Sequence, residues 1–264
     1  MSDADPRAAT SADDETAAEP RLLDHLIELR ARLLRAVVGL LIVFLALMPF
    51  ASEIFSLLAG PLLGKLPESG KLIAADPAGG FFVPVKLAFF AALFATVPWL
   101  LYQAWAFVAP GLYDSEKRLA VPMIFGSTIL FLCGVAFCYF FVFGMVFSFI
   151  QGFAPKSISP MPDIEAYFNF VLTMFLAFGL TFEIPIVVIL LVRLGVVSIE
   201  KLKEARPYVV VGAFVVAAVV TPPDVLSQFM LAVPMCILYE AGLFLARFVG
   251  TRKEEAKEES GSAA

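Results

Sequence analysis

Six apolar runs constrain this chain more than any other feature of its sequence: Leu33 to Phe50, Val83 to Val108, Leu119 to Ile150, Tyr167 to Val192, Tyr208 to Val220 and Leu226 to Ala246. A stretch of about 18 or more apolar residues reads as a membrane span rather than a buried core helix. Charge inside the runs is rare: Arg35 near the start of the first, Lys86 in the second, Glu183 in the fourth and Glu240 in the sixth. Across the chain only 16% of residues are charged and the mean hydropathy is +0.88, whereas a soluble domain is roughly one quarter charged. The sequence therefore predicts an all-α, polytopic membrane protein with six transmembrane helices. The runs are uneven in length. At about 1.5 Å per residue the third would reach roughly 48 Å and the fifth only about 20 Å, against a hydrocarbon core of roughly 30 Å. The third must tilt or project, and the fifth needs a thinned bilayer or shelter by protein.

Basic residues set the orientation. If all six runs span, 15 of the 19 Lys and Arg share one side: Arg7, Arg21, Arg30, Arg32 and Arg35; Lys117 and Arg118; Arg193, Lys201, Lys203 and Arg206; Arg247, Arg252, Lys253 and Lys257. The other side receives Lys65, Lys71, Lys86 and Lys156. The positive-inside rule then predicts that both termini are cytoplasmic. Residues 1–20 and 251–264 are polar, charged and without apolar periodicity, so they read as disordered tails flanking a membrane domain over 21–250. The acidic start lacks the basic region and small-residue cleavage site of a signal peptide, so the first run is expected to persist as a span. Pro98, Pro122, Pro185 and Pro234 each remove a backbone donor inside a run, which predicts a bent, concave bundle. No internal repeat pairs the first three runs with the last three, against the inverted halves common in secondary transporters.

The residue inventory narrows the chemistry. One histidine, His25, and three cysteines, Cys133, Cys138 and Cys236, offer no HExxH, CxxC or GxSxG pattern and no phosphate-binding Gly-rich loop. No metal, no cofactor and no catalysis are expected, and a net charge of -5 argues against a nucleic-acid partner. The cysteines lie inside apolar runs and read as small packing residues.

Polar residues at the edges of the runs remain to be assigned. Before the first run, Leu22, Leu26, Leu29 and Leu33 share one helical face, which describes an interfacial amphipathic helix feeding a span. Glu28 on this helix stands four residues from Arg32, and its plain reading is a surface ion pair worth a few tenths of a kcal/mol. Between the second and third runs the loop WAFVAPGLYDSEKR, 105–118, holds Glu116, whose plain reading is a favourable charge at a helix start. Glu183 lies within the fourth run; an ionisable group there marks either a polar partner, cavity or ion path, or a protonated structural residue bonded to a carbonyl freed by Pro185. Pro222, Pro223 and Asp224 form an outer turn, with Asp224 suited to cap the sixth helix, and Gln228 one turn further on is an amide that seeks an interhelical partner. The segment Ser52 to Pro84 is rich in Pro and Gly, with short apolar pieces such as Ile54 to Leu58, and predicts a cap at the outer interface.

HLIELR at 25–30, WAFVAPGLYDSEKR at 105–118, AFGLTFEIP at 177–185, RPYVVVGAFVVAAVVTPPD at 206–224 and the run from Ser227 to Tyr239 resemble the TatC family. This is the six-span receptor subunit of the twin-arginine protein translocase, and the resemblance covers about residues 20–248. It implies a bacterial cytoplasmic (inner) membrane protein that binds twin-arginine signal peptides of folded cargo at its cytoplasmic face. It further implies assembly with TatA and TatB single-span subunits and with other TatC copies, and export driven by the proton-motive force. By the same resemblance Glu28 and Glu116 are the docking carboxylates, with Arg30 and Phe107 nearby. Glu183 belongs to a polar patch on the concave membrane face, and Gln228 is the polar contact for TatA or TatB at the fifth and sixth spans. A carboxylate accepting two parallel hydrogen bonds would select guanidinium over ammonium by geometry as well as charge. The competing expectation is a small-solute or ion transporter using Glu183; an intramembrane hydrolase fails for want of catalytic residues.

Overall fold

A computed structural model of the chain describes residues 7–63, 76, 79–108, 117–153, 163–221 and 224–248. Its regular elements are helices: α1 (Arg7–Leu47), α2 (Ala51–Leu63), α3 (Gly79–Val108), α4 (Lys117–Phe137), α5 (Phe143–Phe153), α6 (Ile164–Phe182), α7 (Ile184–Arg193), α8 (Ile199–Glu204), α9 (Arg206–Val220) and α10 (Val225–Ala246). Five helical stretches are long and apolar enough to cross a membrane: Leu26–Leu58, Gly79–Phe107, Val121–Val146, Ile164–Arg193 and Val225–Ala246. The shorter apolar helix α9 makes six, as expected. Its 15 residues reach about 22 Å.

Local boundaries depart from the apolar runs at both ends of the first span and at the prolines. The N-terminal segment expected as a tail is helical from Arg7, continuous with the first span; its alanines and glutamates are strong helix formers. At the other end of that span Pro49 sits in a 3-10 turn, Met48–Phe50, and the chain re-enters helix as α2. The start of the presumed loop is thus helical, because Ile54, Phe55 and Leu58 pack onto the core and the Phe55 ring lies 5.2 Å from that of Phe168. Helices α3, α4 and α10 run through Pro98, Pro122 and Pro234, while Pro185 alone of the four stands at a helix junction, where Glu183 separates α6 from α7. Within a bundle, neighbouring helices and local adjustments accommodate the missing donors. The long third run is α4 and α5 joined by one π-helical turn, Cys138–Val142.

Packing across the bundle runs in the order α1, α3, then α4 and α6, then α10 and α9, with α2 folded back on α3 and α7 against α10. The buried core is aromatic and aliphatic, with Leu87, Phe168, Leu172, Phe178 and Leu231 among its fully covered members. Two seams depend on glycine. A Cβ on Gly134 of α4 would stand 2.5 Å from the Phe178 carbonyl oxygen of α6, and one on Gly242 of α10 would stand 2.7 Å from the Pro185 Cα. Small residues at such crossings let helix backbones approach where lipid offers no competing hydrophobic drive. Helix α7 ends at Gly195, whose φ of +67° permits paired closing bonds from Val196 N–H to Leu191 O, 3.1 Å, and from Gly195 N–H to Val192 O, 2.9 Å. Lys86, the charge in the second run, reaches α6: its ammonium donates to Asn169 Oδ1 at 2.7 Å and pairs with Glu165 Oε1 at 3.3 Å.

Candidate functional site

Three groups of polar side chains stand out within and beside the spans. The first is on α1 and α3. Glu28 accepts from Arg32 Nε at 3.0 Å and Nη2 at 2.5 Å, both on Oε1, so the plain i,i+4 pair is present. Arg30 is exposed and Phe107 half-buried. Trp99 joins the two helices: its indole N–H donates to the Arg35 carbonyl at 3.2 Å, and its ring fills the space a Cβ on Gly39 would take. Between α1 and α3 lies a cavity of about 360 Å³ lined by Arg32, Leu33, Gln103 and Phe107 among others. Glu116 lies outside the described residues, so the pairing of two docking carboxylates remains a proposal.

The second group surrounds Glu183. Its backbone terminates α6 and begins α7, and its Oε1 is buried without a hydrogen-bond partner among the described residues. A cavity of about 190 Å³ opens beside it, lined by Leu101, Trp105, Ser127, Ile186 and Val187. Ser127 Oγ, fully buried, lies against the Glu183 carboxyl in the same pocket. A bond from Glu183 to a carbonyl freed by Pro185 is not among the hydrogen bonds of the described residues; the side chain faces the cavity instead. The serine hydroxyl can donate to the carboxyl, and the carboxyl oxygen left over suits a further donor.

The third group joins α9 and α10. Gln228 Nε2 donates to the Phe214 carbonyl at 3.2 Å, which meets the expected need for an interhelical partner inside this chain. Asp224 caps α10 by accepting from the Ser227 N–H at 2.7 Å; Pro222 and Pro223 lie outside the described residues. At the opposite ends of the same helices Arg206 pairs with Glu240 at 2.6 Å, and the Tyr239 hydroxyl of α10 donates to the Leu202 carbonyl of α8 at 2.7 Å. Gln103 and Ser127 escaped the sequence reading, although a polar residue inside an apolar run is the same signal that drew attention to Gln228.

The order of these motifs on six spans can be set beside known proteins. The family model described as Sec-independent protein translocase protein (TatC) matches residues 24–234. The chain belongs to the TatC family. It is 48% identical to the TatC of Haemophilus influenzae over 235 residues, covering 89% of this chain and 92% of that protein. Identity to the TatC of Escherichia coli K12 is 46% over 237 residues, with the same coverage of each. The fold is similar to a crystal structure described as the twin arginine translocase receptor TatC, with a TM-score of 0.77, 37% identity, and coverage of 85% of this chain and 98% of that one. TatC membership places the chain among multi-pass membrane components of Sec-independent protein translocation, not among enzymes, and displaces the solute-transporter alternative.

Proposed function

We propose that this TatC family member is the receptor for twin-arginine signal peptides of folded cargo, docking them through Glu28 and Glu116 with Arg30 and Phe107 alongside. The observation that carries the reading is the state of Glu28: a carboxylate at the membrane entry of α1 already holds a guanidinium by two hydrogen bonds. In that arrangement a guanidinium suits this carboxylate by charge, and a peptide arginine engaging both oxygens would add the geometric selection. The chain sits in the bacterial inner membrane with both termini cytoplasmic, in keeping with the bias of its basic residues. Single-span TatA and TatB subunits assemble along α9 and α10 near Gln228, with Glu183 offering a further polar contact, and other copies of the chain complete the complex. The proton-motive force drives the export.

Photocrosslinking from positions 28 and 116 tests the docking surface. A peptide with its arginine pair should label both positions, and one with lysines should label them weakly. The double variant Glu28→Gln, Glu116→Gln should lose peptide crosslinks while still inserting in the membrane; undiminished binding by that variant would overturn the assignment.

A further inference from the structure

Glu28 is occupied before any peptide arrives. Arg32 stands one helical turn on and places two of its nitrogens on Oε1 of Glu28. The pair is half-sheltered, with side-chain exposures of 18% for Arg32 and 32% for Glu28. Both bonds fall on Oε1, so a second guanidinium gripping both oxygens of the carboxylate meets a resident positive charge, and full engagement requires Arg32 to leave.

The α1–α3 cavity offers a place for it to go. Arg32 and, from α3, Gln103 both line this space of about 360 Å³. Gln103 is 4% exposed, and its Oε1 is buried without a hydrogen-bond partner among the described residues. Amide oxygens in apolar surroundings ordinarily find a donor, so an orphaned one on a residue that lines a cavity together with a long, donor-rich side chain points to an alternative partner for that side chain.

We propose that Arg32 is a built-in competitor for the Glu28 carboxylate, and that Gln103 is the acceptor to which it moves when a peptide guanidinium takes its place. This rests on the docking reading above and adds a specificity device to it. No hydrogen bond is lost overall: Glu28 exchanges one guanidinium for another, and Arg32 exchanges a carboxylate for the amide oxygen. A lysine ammonium, a point charge without the planar fork, displaces a two-bond occupant less well. The resident arginine thus raises the threshold for docking most for peptides lacking arginine.

Equilibrium binding of a labelled twin-arginine peptide and its twin-lysine counterpart to the full chain in lipid nanodiscs tests this by fluorescence anisotropy. Arg32→Gln should tighten binding of the arginine peptide by about two- to fivefold, the worth of a partly exposed ion pair, and should narrow the gap between the two peptides. Arg35→Gln removes the same charge from the same helix, and should change binding less. Gln103→Leu should weaken binding in the parent chain yet have little effect in the Arg32→Gln background. Equal effects of Gln103→Leu in both backgrounds, or no tightening by Arg32→Gln, would overturn the proposal. Arg32→Lys retains the charge and supplies a second reading, with an intermediate gain expected and no gain counting against it. If Glu28→Gln leaves binding intact, the docking reading itself fails; if Glu28→Gln abolishes binding while Arg32→Gln brings no gain, only the competitor role is lost.

Discussion

Glu183 and Gln228 are both polar residues inside spans, yet the chain serves them differently. Gln228 donates across to α9, whereas Glu183, beside Ser127 and a cavity, keeps a buried Oε1 without a hydrogen-bond partner among the described residues. Each substitution, Glu183→Ala and Gln228→Leu, should leave peptide binding near normal and reduce crosslinking to partner helices, as measured by disulfide or photocrosslinks to TatA and TatB. The loss should be partial for each, since an interhelical hydrogen bond contributes about 0.6–2 kcal/mol. Abolished peptide binding in Glu183→Ala with partner crosslinks intact would assign the residue to the peptide path. Glycine positions make sharper demands. Gly134→Leu forces a side chain against the Phe178 backbone and should lower thermal stability in detergent by at least about 1–3 kcal/mol. The Glu28–Arg32 pair was legible from spacing four, and Gln228 from its polarity. The orphaned state of Gln103 and the placing of Ser127 against Glu183 were not, because a burial pattern depends on what the neighbouring helices leave uncovered.

Elements follow the same division between what sequence encodes locally and what packing decides. The number of spans and the shortness of α9 were legible because hydrophobic length maps directly onto membrane thickness. Helix ends near prolines were not: α3, α4 and α10 pass through Pro98, Pro122 and Pro234, and of the four prolines expected to bend a run only Pro185 stands at a junction, that of α6 and α7. Lys86 shows why a single charge did not break the second span. Asn169 and Glu165 on α6 receive its ammonium, which fixes α3 to α6 near the cap end of both helices. Because the pair is about one-third exposed, Lys86→Met should cost under about 1 kcal/mol, and a double-mutant cycle with Glu165→Gln should show coupling of that order in unfolding midpoints. Gly195→Ala should cost about 1–2 kcal/mol in the same assay, since its left-handed φ closes α7.

At the scale of the whole molecule, the packing order puts α1, which carries the proposed docking carboxylate, and α9, which carries the proposed partner surface, at opposite ends of the bundle, linked through α3, α6 and α10. Orientation can be checked directly. In a background lacking Cys133, Cys138 and Cys236, single cysteines at positions 65, 71 and 156 should react with an impermeant reagent from outside. Those at 117, 203 and 253 should react only from inside; outside labelling at 203 would mean that a span before α9 does not cross. The π-helical turn between α4 and α5 has a further meaning. Its bonds reach five residues instead of four, so the turn holds one residue more than regular helix needs, and Phe140 there is 72% exposed. A helix carrying a surplus residue in one loop of backbone can give it up without rotating what lies on either side. Deleting Phe140 should therefore heal the turn into ordinary helix and leave Phe143 and Val146 still facing the core. Deleting Ile129 should swing every later side chain of that span by about 100° and scramble the bundle. Tolerance to shortening is thus concentrated in a five-residue window of the third span.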